Sequence, residues 1–293
     1  MLTAERETAS QPLRRRQAQL WRLCRRHPTM LCGLTLLAAM VFVALAAPYL
    51  ATSDPLELNP IDRLRPPSAN HWFGTDMLGR DIYSRTVYGS RISLIVGLCV
   101  ALLSLAAGLV IGLISGYNRH VDAVVMRIMD GLMAIPAILL AIALIALVSA
   151  SVHNVIIALT IPEIPRVVRL VRSVVLSLRE QAFVEASIAT GASVLRVLGR
   201  HIMPNTLAPL IVQGTYICAS AVIFEAYLSF LGAGTPPEIP SWGNIMAEGR
   251  TYMQLAFWII LFPGLFLALT VLAINLVGDG LRDTLDPKLA RRM

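Results

Sequence analysis

Five stretches of the chain hold no charged residue for at least as long as a bilayer crossing needs: residues 28–53, 92–118, 131–162, 202–224 and 251–278. A hydrocarbon core of ~30 Å takes ~20 helical residues. The third stretch is too long for one helix. It contains Ser151-Val152-His153-Asn154, a polar turn-like tetrad that splits it into a helix over about 131–150 and another starting near Val155 and running on through Arg166. The pattern therefore predicts six membrane-spanning helices and an all-α integral membrane fold. The expected division is a basic tail over 1–27, a first span over 28–53, an outer loop over 54–91, a five-helix core over 92–278 with an inner loop at 177–204, and a tail over 279–293. The first outer loop, with Pro55, Pro60, Pro66 and Pro67, reads as irregular, and the second, over 225–250 with Gly232, Gly234, Pro236, Pro237 and Pro240, must turn sharply. No internal repeat and no soluble domain is visible.

Composition agrees with this pattern. Hydrophobic residues make up 56% and charged residues 15% of 293, with a mean hydropathy of +0.67; a soluble domain carries roughly 25% charge. The first apolar run is too long for a signal core of about 7–15 residues and follows a 27-residue leader, so a span is expected there despite the small-x-small Ala44-Leu45-Ala46. The net charge of +7 is almost wholly arginine, Lys288 being the only lysine. No Gly-Lys pair exists, which removes a phosphate-cradling Walker loop. Basic charge here reads as topology rather than as nucleic-acid binding. Placing the leader in the cytoplasm puts 19 of the 25 basic residues inside, with five in the first outer loop and one in the second. Both termini are then cytoplasmic. Cys24, Cys32, Cys99 and Cys218 lie in the tail or in apolar runs without CxxC spacing, so neither a disulfide nor a metal site is expected of them.

The inner loop between spans four and five reads as helix, break, helix. Gly191 sits where a positive-φ residue would end the first helix, Ser193 is placed to cap the second, and Pro204 marks entry to span five. Phe183, Ala186 and Ala189-Thr190 recur at helical spacing and give a small apolar face rimmed by Arg179, Glu185, Arg196, Arg200 and His201. Such a patch marks a protein-contact site or an amphipathic linker lying on anionic lipid.

Glu185-Ala186-Ser187-Ile188-Ala189-Thr190-Gly191, followed by Ile202-Met203-Pro204, resembles the EAA loop of ABC-importer transmembrane subunits, with Ser187 in place of the usual third-position alanine. Phe73-Gly74-Thr75-Asp76 with Gly79-Arg80-Asp81, Glu225-Ala226-Tyr227-Leu228-Ser229-Phe230-Leu231-Gly232 with Pro240-Ser241-Trp242-Gly243, and Asn275 to Pro287 are similar to the C-type permease subunit of dipeptide, oligopeptide and nickel importers. The resemblance implies the type I importer permease fold in a bacterial inner membrane. It further implies a heterodimer with a homologous permease subunit, two ATP-binding subunits that hold ATP and magnesium, and an extracytoplasmic solute-binding protein. By resemblance, Glu185, Ala186, Ser187 and Gly191 form a coupling helix that docks on the ATPase. Peptides are the implied substrate, with nickel or another small solute as the alternative, and this chain itself is expected to catalyse nothing and to hold no cofactor or metal.

Several residues carry two readings. Glu163, between Pro162 and Pro165, either lines the translocation path or pairs with Arg166 or Arg169 near the inner interface, the favoured reading. Glu225 either meets a docked binding protein or caps the following turn. His153 is read as a solvated turn residue, with no second metal ligand nearby. Asp279, Asp283 and Asp286, interleaved with Arg282 and Lys288, are expected to cap and pair a short C-terminal helix. Asp76 and Asp81 are expected to order their loop by internal salt bridges rather than to bind calcium. A secondary transporter would need midplane ionisable groups and repeated halves; an intramembrane enzyme would need a catalytic constellation; an exporter half commonly carries its own ATPase. None of the three matches the pattern.

Overall fold

The structure, a computed structural model, describes residues 28–285; the basic leader, Cys24, and the Asp286, Pro287 and Lys288 of the expected C-terminal cluster lie outside them. Those residues form helices and irregular loops, joined by one isolated β-bridge between Thr75 and Asp81.

The first helix, α1, spans Pro28–Leu45 and is followed by one turn, α2, Ala47–Leu50. The run expected to continue to residue 53 is interrupted because Pro48 offers no N–H to the ladder. An irregular segment then leads to α3, Ile82–Tyr117, 36 residues and ~54 Å long. Its start lies ten residues before the expected Ile92. Counting charge-free residues missed these turns because Arg85 and Arg91 lie in them. Arg85 is fully buried under the outer loop, so its charge meets protein rather than lipid. Asp81 caps the helix, its Oδ2 accepting from Ser84 N at 2.8 Å.

Next come α4, Arg119–Met133, and α5, Ala137–Ala146, bent 87° to one another. The span expected over 131–150 is thus broken at Ala134-Ile135-Pro136, where Pro136 removes a donor and pushes Ile135 out of the helical region. The Ser151-Val152-His153-Asn154 tetrad is the start of α6, Val152–Arg179: Ser151 Oγ accepts from Asn154 N at 3.2 Å, and His153 is exposed. The inner loop holds α7, Ala182–Ala189, then α8, Val194–Val197, which passes through a π-turn into α9, Met203–Phe230. A second short outer helix, α10, Trp242–Gly249, precedes α11, Trp258–Leu285. Asp279 and Asp283, expected on a separate short helix, ride on the last turns of α11. Neither forms an ion pair with Arg282 among the described residues.

Four segments are long and apolar enough to cross a membrane: α1, α3, α8 with α9, and α11. The bent pair α4–α5 makes a fifth if it counts as one span. Helix α6 falls outside that set because Glu163, Arg166, Arg169, Arg172 and Arg179 lie along it. It is held by protein instead. Gly108, Gly112 and Gly116 of α3 face Val167, Val171 and Val175 of α6, and a Cβ at Gly112 would stand 2.7 Å from the Val171 Cβ. Small residues at four-residue spacing let two backbones approach closely, and this seam forms the middle of the main core with Ile145, Val155, Ile202 and Ile217.

Candidate functional site

Helix α7 follows the C-terminal end of α6. Val184 is its one fully buried side chain and joins the main core. Phe183 and Ile188 are 46% and 48% exposed, and Glu185, Ala186 and Ala189 are exposed with them, while Ser187 is half-buried. Leu195, just past the turn, is 83% exposed. The helix is stopped by a Schellman motif: Ala192 N donates to Ser187 O at 3.1 Å and Gly191 N to Ile188 O at 2.9 Å, with Gly191 at φ +84°. A Cβ at Gly191 would meet nothing within 4 Å, so backbone conformation rather than space demands glycine there. Ser193 occupies the next cap position, but its side chain bonds no helix N–H; its carbonyl alone accepts, from Arg196 N and Val197 N at 3.0 Å.

The charged rim differs from expectation at Arg179. Its guanidinium turns back to α3, donating to Tyr117 O at 3.1 Å and Gly116 O at 3.3 Å and lying 5.6 Å from the Tyr117 ring centroid. The loose carbonyls at the end of α3 are thereby satisfied by a side chain from the end of α6. His201 lies beside Phe183, with ring centroids 6.1 Å apart.

Glu163 is buried at 3% exposure, and its Oε2 accepts from Arg166 Nη1 at 2.9 Å, one helical turn on. Arg166 is itself 44% exposed and lies 5.3 Å from the Tyr216 ring centroid on α9. The alternative partner, Arg169, bonds Asp130 of α4 at 2.6 Å instead, and Arg172 bonds Asp122 at 2.7 Å. Arg166, Arg169 and Arg172 of α6 are thus matched by acids of α4 and of their own preceding turn, while Arg179 is met by backbone carbonyls.

The start of α3, at the opposite end of that helix from Arg179, holds a polar centre that sequence reasoning found only in part. Asp76 and Asp81 do order the loop, but with separate partners. Asp76 Oδ2 accepts from Arg80 Nε at 2.6 Å and from Arg85 Nη1 at 2.8 Å, and both arginines also reach Glu248 of α10. Asp81 caps α3 and accepts from Thr52 Oγ1 at 3.2 Å. The partner sequence reasoning missed is Glu248. Nothing local marks a residue 168 positions from Arg80 as its neighbour. Glu225 is wholly buried, with Ser229 Oγ donating to Oε1 at 2.9 Å and Ser93 Oγ to Oε2 at 3.3 Å. With no exposed surface of its own, it ties α9 to α3. The turn after α9 is secured by Asn244 Nδ2, which donates to Thr235 Oγ1 at 2.9 Å and Pro236 O at 3.0 Å. No group of three or more metal-ligating side chains forms among the described residues.

Residues 108–291 match the family described as the binding-protein-dependent transport system inner membrane component, and residues 17–67 match the N-terminal transmembrane domain of oligopeptide transport permease C. A probable peptide ABC transporter permease protein of Sinorhizobium fredii is 52% identical over 92% of this chain and 93% of its own length. The dipeptide transport system permease protein of Alkalihalophilus pseudofirmus is 44% identical over 96% and 92%. A probable D,D-dipeptide transport system permease protein of Escherichia coli is 38% identical over 98% of both. Among solved structures, the MetNI methionine ABC transporter in an inward-facing conformation aligns with a TM-score of 0.56 at 21% identity, covering 69% of this chain and 96% of that one.

Proposed function

The chain belongs to the family of binding-protein-dependent transport system inner membrane components, and from that premise we propose that it carries short peptides inward, driven by ATPase subunits that dock on α7. It is a permease subunit of an ABC importer in the bacterial inner membrane, a translocating rather than a catalytic component that works with ATPase partners. The peptide substrate follows from relatives whose names specify peptides and dipeptides. Its remaining partners in this reading are a second, homologous permease and an extracytoplasmic solute-binding protein, and ATP and magnesium sit on the ATPase subunits. In the same reading α6 is a sixth span, buried among the others, and both termini are cytoplasmic.

The observation that supports coupling is the geometry of α7. A helix of 8 residues is pinned by Val184 at one side and by a Schellman turn at its end, and it offers Phe183, Ala186, Ile188 and Ala189 to whatever lies beneath. A solvated linker would not expose such a surface at a fixed angle. Two variants in the intact transporter test this. Glu185→Lys reverses charge on the docking face, and Gly191→Pro imposes φ near −65° where the turn needs +84°. Both are expected to insert into the membrane at normal levels and to lose peptide uptake. Wild-type uptake in either, or crosslinking of Ala186→Cys to lipid with no ATPase product, would overturn the docking role.

A further inference from the structure

The seam between α3 and α6 sets the two helices level: Gly108, Gly112 and Gly116 lie against Val167, Val171 and Val175, with both helices running the same way. Side chains at one depth can therefore be compared across the molecule. On α3 every exposed side chain from Ile95 to Ile114 is isoleucine, leucine, alanine or valine, and on α11 those from Leu261 to Leu272 are leucine or alanine. On α6 the exposed side chains from Arg166 to Ser177 are Arg166, Arg169, Ser173 and Ser177. Their spacing of three and four residues puts them on one side of the helix. The register of the seam sets Val110 of α3 level with Arg169 of α6, and both are exposed. At that depth the subunit shows hydrocarbon on one side and guanidinium on the other.

A guanidinium in hydrocarbon is expensive, so an exposed arginine on a membrane helix faces protein or water. Here each already has its acid: Arg166 Nη1 donates to Glu163 Oε2 at 2.9 Å, and Arg169 Nη2 to Asp130 Oδ1 at 2.6 Å. A partner helix laid flat on this side would have to dehydrate both pairs, a cost that their attraction does not repay unless further partners are supplied. Water leaves them solvated. Arg166 commits a single N–H to Glu163 among the described residues, and its guanidinium lies 5.3 Å from the ring centroid of Tyr216, which is also about half exposed. The rest of a forked donor beside an aromatic ring suits a carboxylate carried on an apolar residue. Glu163, at 3% exposure, stands behind the arginine and does not itself reach a solute.

We propose that the Arg166–Ser177 side of α6 is the water-lined wall of the translocation path in this subunit, and that Arg166, beside Tyr216, receives the C-terminal carboxylate of a peptide in transit. The proposal rests on the reading of the chain as a peptide-importer subunit and adds which residue meets the peptide. A transit site must hold its solute weakly enough to let go. Glu163 supplies that weakness by offsetting the charge of Arg166. Arg169, offset in the same way by Asp130, is the next contact, ~4.5 Å further along the helix.

The test uses the complete transporter in proteoliposomes during turnover. Ser173→Cys is expected to react with a charged, water-soluble thiol reagent at least about tenfold faster than Val110→Cys, because only a thiolate reacts and hydrocarbon holds none; wild type gives the background of the native cysteines. Equal rates, or crosslinking of Ser173→Cys to the second permease throughout the cycle, would overturn the wall. The contact is read with a dipeptide that carries a benzophenone side chain and a free carboxylate, counting label around Tyr216 relative to label on the solute-binding protein. The double variant Arg166→Gln with Glu163→Gln leaves a neutral pair and no uncompensated charge, so its partner subunits are expected to co-purify. It should cut that label about tenfold, the loss of one charge-assisted hydrogen bond, and the same probe amidated at its C-terminus should show no such difference. Glu163→Gln alone leaves the guanidinium unopposed and is expected to raise the label while slowing uptake, which loss of a merely structural ion pair would not do. Uptake of the probe with unchanged label in the double variant overturns the contact and leaves the importer reading intact; failure of wild type to take up any peptide overturns the importer reading itself.

Discussion

Arg85 has no exposed surface, yet it is charged, and two carboxylates explain how: Asp76 from the outer loop and Glu248 from α10. With Arg80 they make a group of two cations and two anions. Removing one member leaves an uncompensated charge in protein, which costs about 3–5 kcal/mol. Arg85→Met is therefore expected to lower the thermal midpoint of the purified transporter sharply. Adding Asp76→Asn should recover part of that loss, since the group is again neutral and an amide oxygen still accepts from Leu78 N and Arg80 N. Thermal unfolding of the two variants checks this; a double variant no more stable than Arg85→Met would show that the acids are not balanced by Arg85. Half of this centre was legible beforehand. Asp76, Arg80 and Asp81 lie close enough in sequence to suggest mutual pairing, whereas Glu248 is brought up only by tertiary folding. Glu225 is the opposite lesson. Its place before a glycine- and proline-rich loop suggested the surface, but α9 continues to Phe230 and buries it.

At the scale of elements, the seam between α3 and α6 follows a pattern present in the chain, Gly108-x3-Gly112-x3-Gly116 against Val167-x3-Val171-x3-Val175. Gly112→Leu is expected to force the helices apart and to reduce the yield of folded protein in membranes. The exchange Gly112→Ala with Val171→Gly moves the small residue to the other helix and should keep most of that yield, less about 1 kcal/mol for glycine within a helix. Quantitative immunoblotting of membrane fractions after detergent extraction distinguishes the two, and equal loss in both would mean that the seam does not set the packing. Within the 177–204 loop, limits set by local chemistry were read well. The turn at Gly191 and the start at Pro204 are where backbone rules put them. Elements whose limits depend on neighbours were not. Counting uncharged residues ran straight through the 87° bend before Ala137, since Pro136 breaks a helix without adding charge, and stopped ten residues short of the true beginning of α3, where the charge of Arg85 is hidden by protein rather than kept out of lipid.

Across the whole molecule, the end around the start of α3 is stitched from segments far apart in the chain. Trp258 Nε1 donates to Thr75 O at 3.2 Å, Trp242 Nε1 to Thr86 O at 3.0 Å, and Phe73 stacks on Phe262 with centroids 4.0 Å apart. At the opposite end, α7 is held to the core by one buried side chain, Val184. Hydrogen–deuterium exchange of the complete transporter, with and without nucleotide, is expected to find the amides of Thr75, Asp76 and Ile82 equally protected in both states. Amides of residues 182–193 should change on nucleotide addition, and the reverse pattern would place the moving part at the outer face. The bond from Arg179 to the last carbonyls of α3 then acquires a meaning beyond capping. If α7 docks on an ATPase as proposed, a thrust arriving through it would enter the membrane on two beams at once, α6 by covalent continuity and α3 by that guanidinium. Cutting the strap with Arg179→Ala would let one beam tilt without the other, so nucleotide would still be spent while cargo stayed outside.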